Sequence, residues 1–541
     1  MSGYIALFQL GHFTASWSFI SYLVVTLGVL SAYLVVTYLR SPLRHYPGPF
    51  LANFTNLWRM YYIRRGRFHL DMAQLHKKYG PVVRIAPNVL DVDDPSLIKT
   101  VFSTKGDWIK TGYYASTSVL LDGRLMYSIF SEPDEDKHAA EKRLIAKYYS
   151  AAGALTVEPL IDKIIAQLCA ELETRFITTS EIGTAKSFDL GSWILYYAWD
   201  VVGNVTFSKP LGYLSAGADF DGTLRASEKV LDYFSWVGCM PWLDMIFEKN
   251  RLAPYIWRSG TFVALGATCV RHLISRYQDL AVGAADKDAK VASGQPPDYL
   301  DRFLEVKAEN PGLPDSQVVS WIMINMGAGA DTTAISIRSA LYFSLRTPGV
   351  WQTLRAALAE GGLSAAENPI VSFKQARKVP YLDAVVRESI RYLPGVSLGL
   401  ERYVPAGGQR LASASTHGKA GIVPEGSVLA FNPYILNRNK EIWGPDADEF
   451  RPERWLQGPD ETEEAFTQRL RAMNDTDLSF GAGSRICIGK NMGLMQVYKV
   501  VATLALRYDI DLAHPEREWT VINSWFPRQK GLEVRMARRV R

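Results

Sequence analysis

Cys487 lies in the run Phe480-Gly481-Ala482-Gly483-Ser484-Arg485-Ile486-Cys487-Ile488-Gly489. A lone cysteine among glycines, with an arginine two places before it, suits the holding of a metal macrocycle. Its thiolate can ligate haem iron and push electron density toward a bound dioxygen. Gly481, Gly483 and Gly489 let the backbone approach such a ring where a Cβ would clash. Arg485 offers a fork of donors for a haem carboxylate. Backbone N–H groups near the sulfur would tune its donor strength.

Two further clusters lie upstream. Met326-Gly327-Ala328-Gly329-Ala330-Asp331-Thr332-Thr333 falls inside a long helical segment, 315–345, ended by Pro348. Gly327 and Gly329 in mid-helix each cost roughly 1 kcal/mol relative to Ala, so a thin or distorted wall must be useful there. From the residues alone two readings stand. One is an oxygen-binding groove with a proton relay through Asp331 and Thr332. The other is a closely packed helix in which Thr332 bonds back to a carbonyl. Next, Glu388-Ser389-Ile390-Arg391 puts a carboxylate and a guanidinium on one helical face. Alone, that pair reads as a surface ion pair worth little. Phe450-Arg451-Pro452-Glu453-Arg454-Trp455 follows it, shortly before the cysteine loop.

In this order the motifs resemble those of the cytochrome P-450 monooxygenases, over nearly the whole chain. The family's cysteine loop reads Phe, two residues, Gly, one residue, Arg, one residue, Cys, one residue, Gly, and every fixed position is met. The resemblance implies haem b, with Cys487 as axial iron ligand and Phe480, Gly481, Gly489 and Arg485 around it. Ala328 and Gly329 would face the haem. Thr332 would hold a water network and Asp331 would help deliver protons. Glu388, Arg391 and Arg454 would form a buried structural cluster supporting the haem loop, with Trp455 where the family often has Phe. At His138-Ala139-Ala140-Glu141-Lys142-Arg143 the sequence departs from the family's Trp, three residues, Arg. His138 stands for Trp and Lys142 for Arg, which keeps a cation but loses bidentate geometry; Arg143 is the substitute. Arg402 matches a strand position that contacts a haem carboxylate.

The same resemblance offers Tyr114, Leu120, Trp236, Trp321, Met323, Met326, Trp525 and Phe526 as substrate-facing positions. Core packing is the competing account of each. Lys137, Lys142, Arg143 and Lys147 fall on one helix, with Lys490 just after the haem loop. They are either a solvated face or, as in the family, the docking face for an acidic flavin reductase. The implied activity is oxidation of a bulky hydrophobic small molecule by O2. Electrons would come from NADPH through a separate reductase, with cytochrome b5 as a further donor. Tyr79-Gly80-Pro81-Val82-Val83-Arg84-Ile85-Ala86-Pro87-Asn88 and Pro405-Ala406-Gly407-Gly408 look like fungal microsomal members, of the pisatin demethylase-like group, which points to secondary metabolism. Two rivals remain: a reductase-independent haem-thiolate isomerase or dehydratase, and a non-catalytic haem-binding protein. Relatives of the first kind commonly lack the acid–Thr pair, so Asp331-Thr332 argues against it.

The elements that must position these residues are mostly helical, the resemblance implying a helix-rich prism with a small β-rich subdomain. Helices are expected over 70–79, 158–176 and 188–207, with another opened by Asp94-Pro95. Strands are expected on either side of Pro87-Asn88. Segment 284–297 reads as a surface loop, and 407–424 as a hairpin with a lengthened loop.

The chain has 541 residues, 48% of them hydrophobic, and a net charge of +5. That balance gives no reason to propose nucleic acid as a partner. Its four cysteines have no CxxC spacing, which argues against zinc. Cys169, Cys239 and Cys269 read as buried small hydrophobes. From Met1 to Leu39 there is no Asp, Glu, Lys or Arg, and 19–38 is an almost unbroken apolar run. It is long enough to span a bilayer at about 20 residues. Arg40 and Arg44 follow, which puts that flank in the cytosol and Met1 in the lumen. A cleaved signal peptide is the alternative, weakened by the missing basic n-region. The expected organisation is a luminal N-terminus and anchor over 1–40, a Pro-rich hinge over 41–50, and a cytosolic haem-thiolate catalytic domain over 51–541. The endoplasmic reticulum membrane is the expected location. Sequons at Asn53, Asn204 and Asn474 fall on the cytosolic side and are discounted.

Overall fold

The computed structural model describes residues 2–104, 107–121, 124–177, 181–250, 261–281, 295–411 and 421–539, with 2–18, 121, 124 and 261–264 described by backbone alone. Its axis is the 32-residue helix Asp315–Arg346, which packs most extensively against Leu190–Phe207 and Lys490–Arg507. Leu190–Phe207 is apolar almost all round, as a helix buried on every side must be. Its start differs from the expected 188–207. Phe188–Asp189 is a short strand paired with Glu533 and Val534. Asp189 caps the helix, accepting from Ser192 N, and a capping residue takes an extended backbone rather than a helical one.

Strands are short, as expected. Val82–Ala86, Val89–Val92, Val428–Phe431 and Leu400–Tyr403 form a four-stranded sheet in that order, with the middle pairing parallel and the outer two antiparallel. Leu400–Tyr403 carries Arg402. Thr520–Ser524 and Phe526–Lys530 make a hairpin around Trp525, which adopts φ 69°. Gln409–Arg410 pairs with Ile422–Val423, giving the expected hairpin; residues 412–420 between them lie outside the described residues. So does most of the loop expected over 284–297. Asp94 caps a single 3-10 turn, Pro95–Leu97, before the short helix Ile98–Val101.

The N-terminal helix spans Ser2–Arg40, and from Phe19 onward most of its apolar residues are exposed. Within it, Phe19–Arg40 has mean hydropathy 2.2, is 0% buried, and is the one helix among the described residues long and apolar enough to cross a membrane. The segment after it is stapled to the first strand. Arg84 donates to Ser41 Oγ at 2.7 Å and Asn53 Oδ1 at 3.0 Å, and its N–H donates to Pro47 O at 2.7 Å. Gly48 lies so close that a Cβ there would stand 2.1 Å from the Arg84 carbonyl oxygen.

Candidate active site

The cysteine loop precedes the helix Lys490–Arg507, with Gly489 at its N-cap. Gly481 and Gly483 hold φ of 68° and 62°, which disfavour any side chain. Gly483 has a second reason: a Cβ would lie 1.8 Å from Phe102 O. The Cys487 N–H donates to Phe480 O at 2.8 Å, closing the loop. The thiol is accessible, yet enough protein surrounds it that burial raises its pKa. The backbone N–H groups of Gly489 and Lys490, then the Lys490 and Lys142 ammonium groups, pull in the opposite direction. These are the amides expected around the sulfur. A Cβ at Gly489 would lie 4.0 Å from Sγ, so its absence keeps that flank open.

Beside the loop lies a cluster of cations. Arg485 Nε donates to Glu135 Oε1 at 2.8 Å. Its Nη2 is 2.7 Å from the same oxygen without an aligned bond, and both Nη1 and Nη2 are buried without a hydrogen-bond partner. Arg402 is buried, and burial lowers its pKa; it donates to its own neighbour's carbonyl, Glu401 O. His138 is buried with Nδ1 unpartnered. Burial, helped by Arg485, Lys142, Lys110 and Arg402, pushes its pKa down to about 3, so the ring is neutral. Lys142 reaches Ser484 O at 2.6 Å. Arg143 is exposed on the outer face of the helix and does not join the cluster; the 100° step between neighbours turns it away. Lys110 does join it, and no motif marks it.

On the central helix, Ala328 is exposed although it lies in mid-element, and Gly327 has nothing within 4 Å of where a Cβ would be. Thr332, one turn on, is half-buried, and its Oγ1 donates to Ala328 O at 2.7 Å. Back-bonding, one of the two sequence readings, therefore holds for the hydroxyl proton, while the oxygen keeps its acceptor capacity. Gly329 departs from its expected facing. A Cβ there would meet Val202 at 3.2 Å, so it serves close packing between helices, not the open strip. Asp331 points to a third side. It is buried, accepts from Trp199 Nε1 at 3.4 Å and Ser227 Oγ at 3.2 Å, and burial raises its pKa.

The pair Glu388–Arg391 is fully buried, not superficial. Arg391 forms a two-pronged contact with Glu388, at 2.8 Å each, and donates to Asn437 O, Ala447 O and Glu449 O. Arg454 joins at 3.4 Å, and Trp455 Nε1 donates to Glu388 Oε2 at 2.9 Å. That bond gives Trp a function Phe could not perform. Asn437 also reaches Ser479 Oγ at 2.9 Å, next to Phe480, which links the cluster to the cysteine loop.

The substrate-facing positions divide. Tyr114 and Trp525 pack with Tyr113 and Phe130 in an aromatic group whose ring centroids lie 5.3–6.0 Å apart. Phe526 is buried at the same hairpin tip, Trp236 is half-buried under Arg64, and Leu120 is half-buried in the hairpin Val119–Leu121/Arg124–Met126. Trp321 and Met326 instead belong to the core. Trp321 donates to Glu141 at 2.9 Å, and Met326 meets Cys269. Met323 lies toward Gly266 of a neighbouring helix. Met323 and Met326 lie about a third of a turn or more from Ala328 and Thr332 in helical phase, whereas Trp321 shares their phase but lies about two turns before Ala328, where it meets Glu141 instead. Of the basic face, Lys137 pairs loosely with Asp134 and Lys147 with Glu309, and Lys490 lies over the Phe480 ring.

A family model described as Cytochrome P450 matches residues 45–532. The chain belongs to the cytochrome P450 family. A cytochrome P450 monooxygenase of Aspergillus candidus, cfoH, is 42% identical over 523 residues, 96% of this chain and 93% of the relative. A cytochrome P450 monooxygenase of Aspergillus terreus is 34% identical over 478 residues, covering 88% and 92%. The monooxygenase cicH of Emericella nidulans is 31% identical over 514 residues, covering 94% and 96%. The P450 chain is thus a haem-dependent oxidoreductase that incorporates oxygen. Its own residues fit that cofactor: Arg485 and His138 keep buried nitrogens without a hydrogen-bond partner in the cation cluster, and the thiol of the cysteine loop is accessible, which suits the carboxylates and iron of haem.

Proposed function

We propose that this chain is a membrane-anchored haem-thiolate monooxygenase of fungal secondary metabolism. It would oxidise a bulky hydrophobic small molecule with electrons passed from NADPH by a separate reductase. The observation that carries the reading is the accessible Cys487 thiol beside a buried cluster of cations with unspent donors. Haem held by Cys487 would supply dioxygen activation and insertion of one oxygen atom into substrate, the other leaving as water. Arg485, Arg402 and His138 would hold its carboxylates, and Lys142 would steady the loop through Ser484. Thr332 Oγ1 can accept a bond from water on the open strip while its proton stays on Ala328 O. Asp331, with its pKa raised by burial, keeps a proton more readily than an exposed aspartate, and Ser227 Oγ is its hydroxyl partner. The rings of Tyr113, Tyr114, Phe130 and Trp525 exclude water from one side and favour an apolar ligand. Helix Phe19–Arg40 would anchor the chain in the endoplasmic reticulum membrane, with the catalytic domain cytosolic.

The test is the absorption spectrum of the reduced protein with carbon monoxide, for wild type and Cys487→Ala. A red-shifted Soret band in wild type alone is expected. An imidazole-type band in wild type, or none, would remove the proposal.

A further inference from the structure

We propose that Lys110 binds a haem carboxylate, and that it, rather than Lys142 or Arg143, supplies the cation where the family pattern has arginine. The inference rests on the haem-thiolate reading above. Lys110 is 6% exposed and lies outside every motif in the chain. Its backbone is fixed by a bridge to Arg402 and by the bond from Tyr403 N to Ile109 O at 3.0 Å. Two cations are thereby set on adjacent strands. The Lys110 Nζ lies over the rings of Tyr114 and Phe130, 4.5 and 4.0 Å from their centroids. Nζ donates to Phe130 O at 2.5 Å, and no carboxylate pairs with it among the described residues. An ammonium has three donors, so two remain unspent.

The local charges make this arrangement costly without an anionic ligand. The groups acting on Lys110 are Arg402 and Arg485, both cationic, and the single carboxylate Glu135, which Arg485 already engages. Three buried basic side chains therefore face one carboxylate, and burial, with Arg402 and Arg485, lowers the Lys110 pKa, so its ammonium form is disfavoured there unless an anion joins it. A buried charge persists only when it is paired. Haem b carries two carboxylates, which would supply such an anion. Lys142 is differently employed. It is half-buried and its Nζ is spent on Ser484 O in the cysteine loop.

The test uses the full-length protein with and without haem, as wild type, Lys110→Met, Lys110→Arg and Lys142→Met. Three quantities are read: haem dissociation constant, iron midpoint potential, and thermal midpoint of the haem-free protein. Lys110→Met should weaken haem binding about tenfold, the scale of one charge-assisted hydrogen bond. It should also shift the potential negative, since a cation near the ring favours the reduced state. The haem-free thermal midpoint should stay level or rise, because a buried basic group without an anionic partner has gone. Lys110→Arg should restore binding and potential, and Lys142→Met should weaken binding less than Lys110→Met. The inference is overturned if Lys110→Met binds haem as wild type does, if Lys110→Arg fails to restore it, if the haem-free midpoint falls alongside, or if Lys142→Met costs as much. Wild type without a thiolate-type carbon monoxide band would sink both readings, whereas a normal band with an indifferent Lys110→Met would sink this one alone.

Discussion

Two residues on neighbouring positions of one helix have opposite environments. Thr332 borders the open strip and Asp331 is buried behind it. Burial raises the Asp331 pKa above its ordinary 3.8, so the folded state disfavours the charged form. For an acid shifted upward, the contribution to stability is fully present below pH 3.8 and is lost as pH rises through the folded value. Asp331→Asn should therefore match wild type in thermal midpoint at low pH and gain on it as pH climbs, levelling off once wild-type Asp331 is ionised. A difference independent of pH would contradict this. Thr332→Ala, which removes the acceptor on the strip, should divert turnover from product to peroxide and cut coupled product formation by about 10²-fold. NADPH consumption and peroxide, measured together, check it. Cys487 and Arg485 stand out in the sequence through the spacing of the cysteine loop, and Arg402 only through the family resemblance. Lys110 does not stand out, since its significance lies in a bridge to a strand nearly three hundred residues away.

At the scale of elements, the helix Pro380–Tyr392 and the turn Pro452–Trp455 are joined through one buried carboxylate, Glu388, and Asn437 links that cluster to Ser479 before the cysteine loop. Glu388→Gln would leave Arg391 and Arg454 with an uncompensated charge inside the protein. A loss of about 3–5 kcal/mol is expected, read as a lower denaturation midpoint with reduced haem retention; an unchanged midpoint would contradict it. Gly483→Ala should be nearly as damaging, because positive φ and the Phe102 carbonyl both oppose a Cβ. The ExxR spacing allowed pairing but could not say whether the pair was buried. The flanking Val385, Val386, Ile390 and Trp455, packed over it, decided that. The facing of Gly329, Trp321 and Met326 was illegible for a related reason. Helical phase is known from sequence, but which phase meets a neighbour depends on where Leu190–Phe207 and Thr261–Ala281 lie.

Over the whole molecule, the anchor and the folded domain are separable in energy. Phe19–Arg40 is exposed along most of its length and meets the fold only near its end, where Tyr38 contacts Phe54, while the staple from Arg84 to Ser41 begins immediately after it. A chain beginning at Ser41 should keep its haem spectrum and become extractable from membranes by alkaline carbonate, which should leave the full-length protein in the pellet. Exposed Phe50, Leu51 and Leu57 would still favour peripheral contact. The basic face around Arg143 and Lys490 predicts that raising ionic strength slows reduction by the reductase, because the attraction is screened beyond roughly 10 Å at 0.1 M salt. A rate indifferent to salt would remove electrostatic docking.

The sequence by itself determined the family, the helical class and the apolar N-terminal span, and it singled out Cys487 as the thiol to test. Each of these is written in local spacing: a cysteine loop, a helical period, a run of uncharged residues. Only the tertiary structure decided which cations cluster beside the cysteine loop, that Arg143 is outside and Lys110 inside, that Glu388 is buried, and that Thr332 and Asp331 face different ways. Those are facts about charge and burial between segments distant in the chain, and no local pattern encodes them.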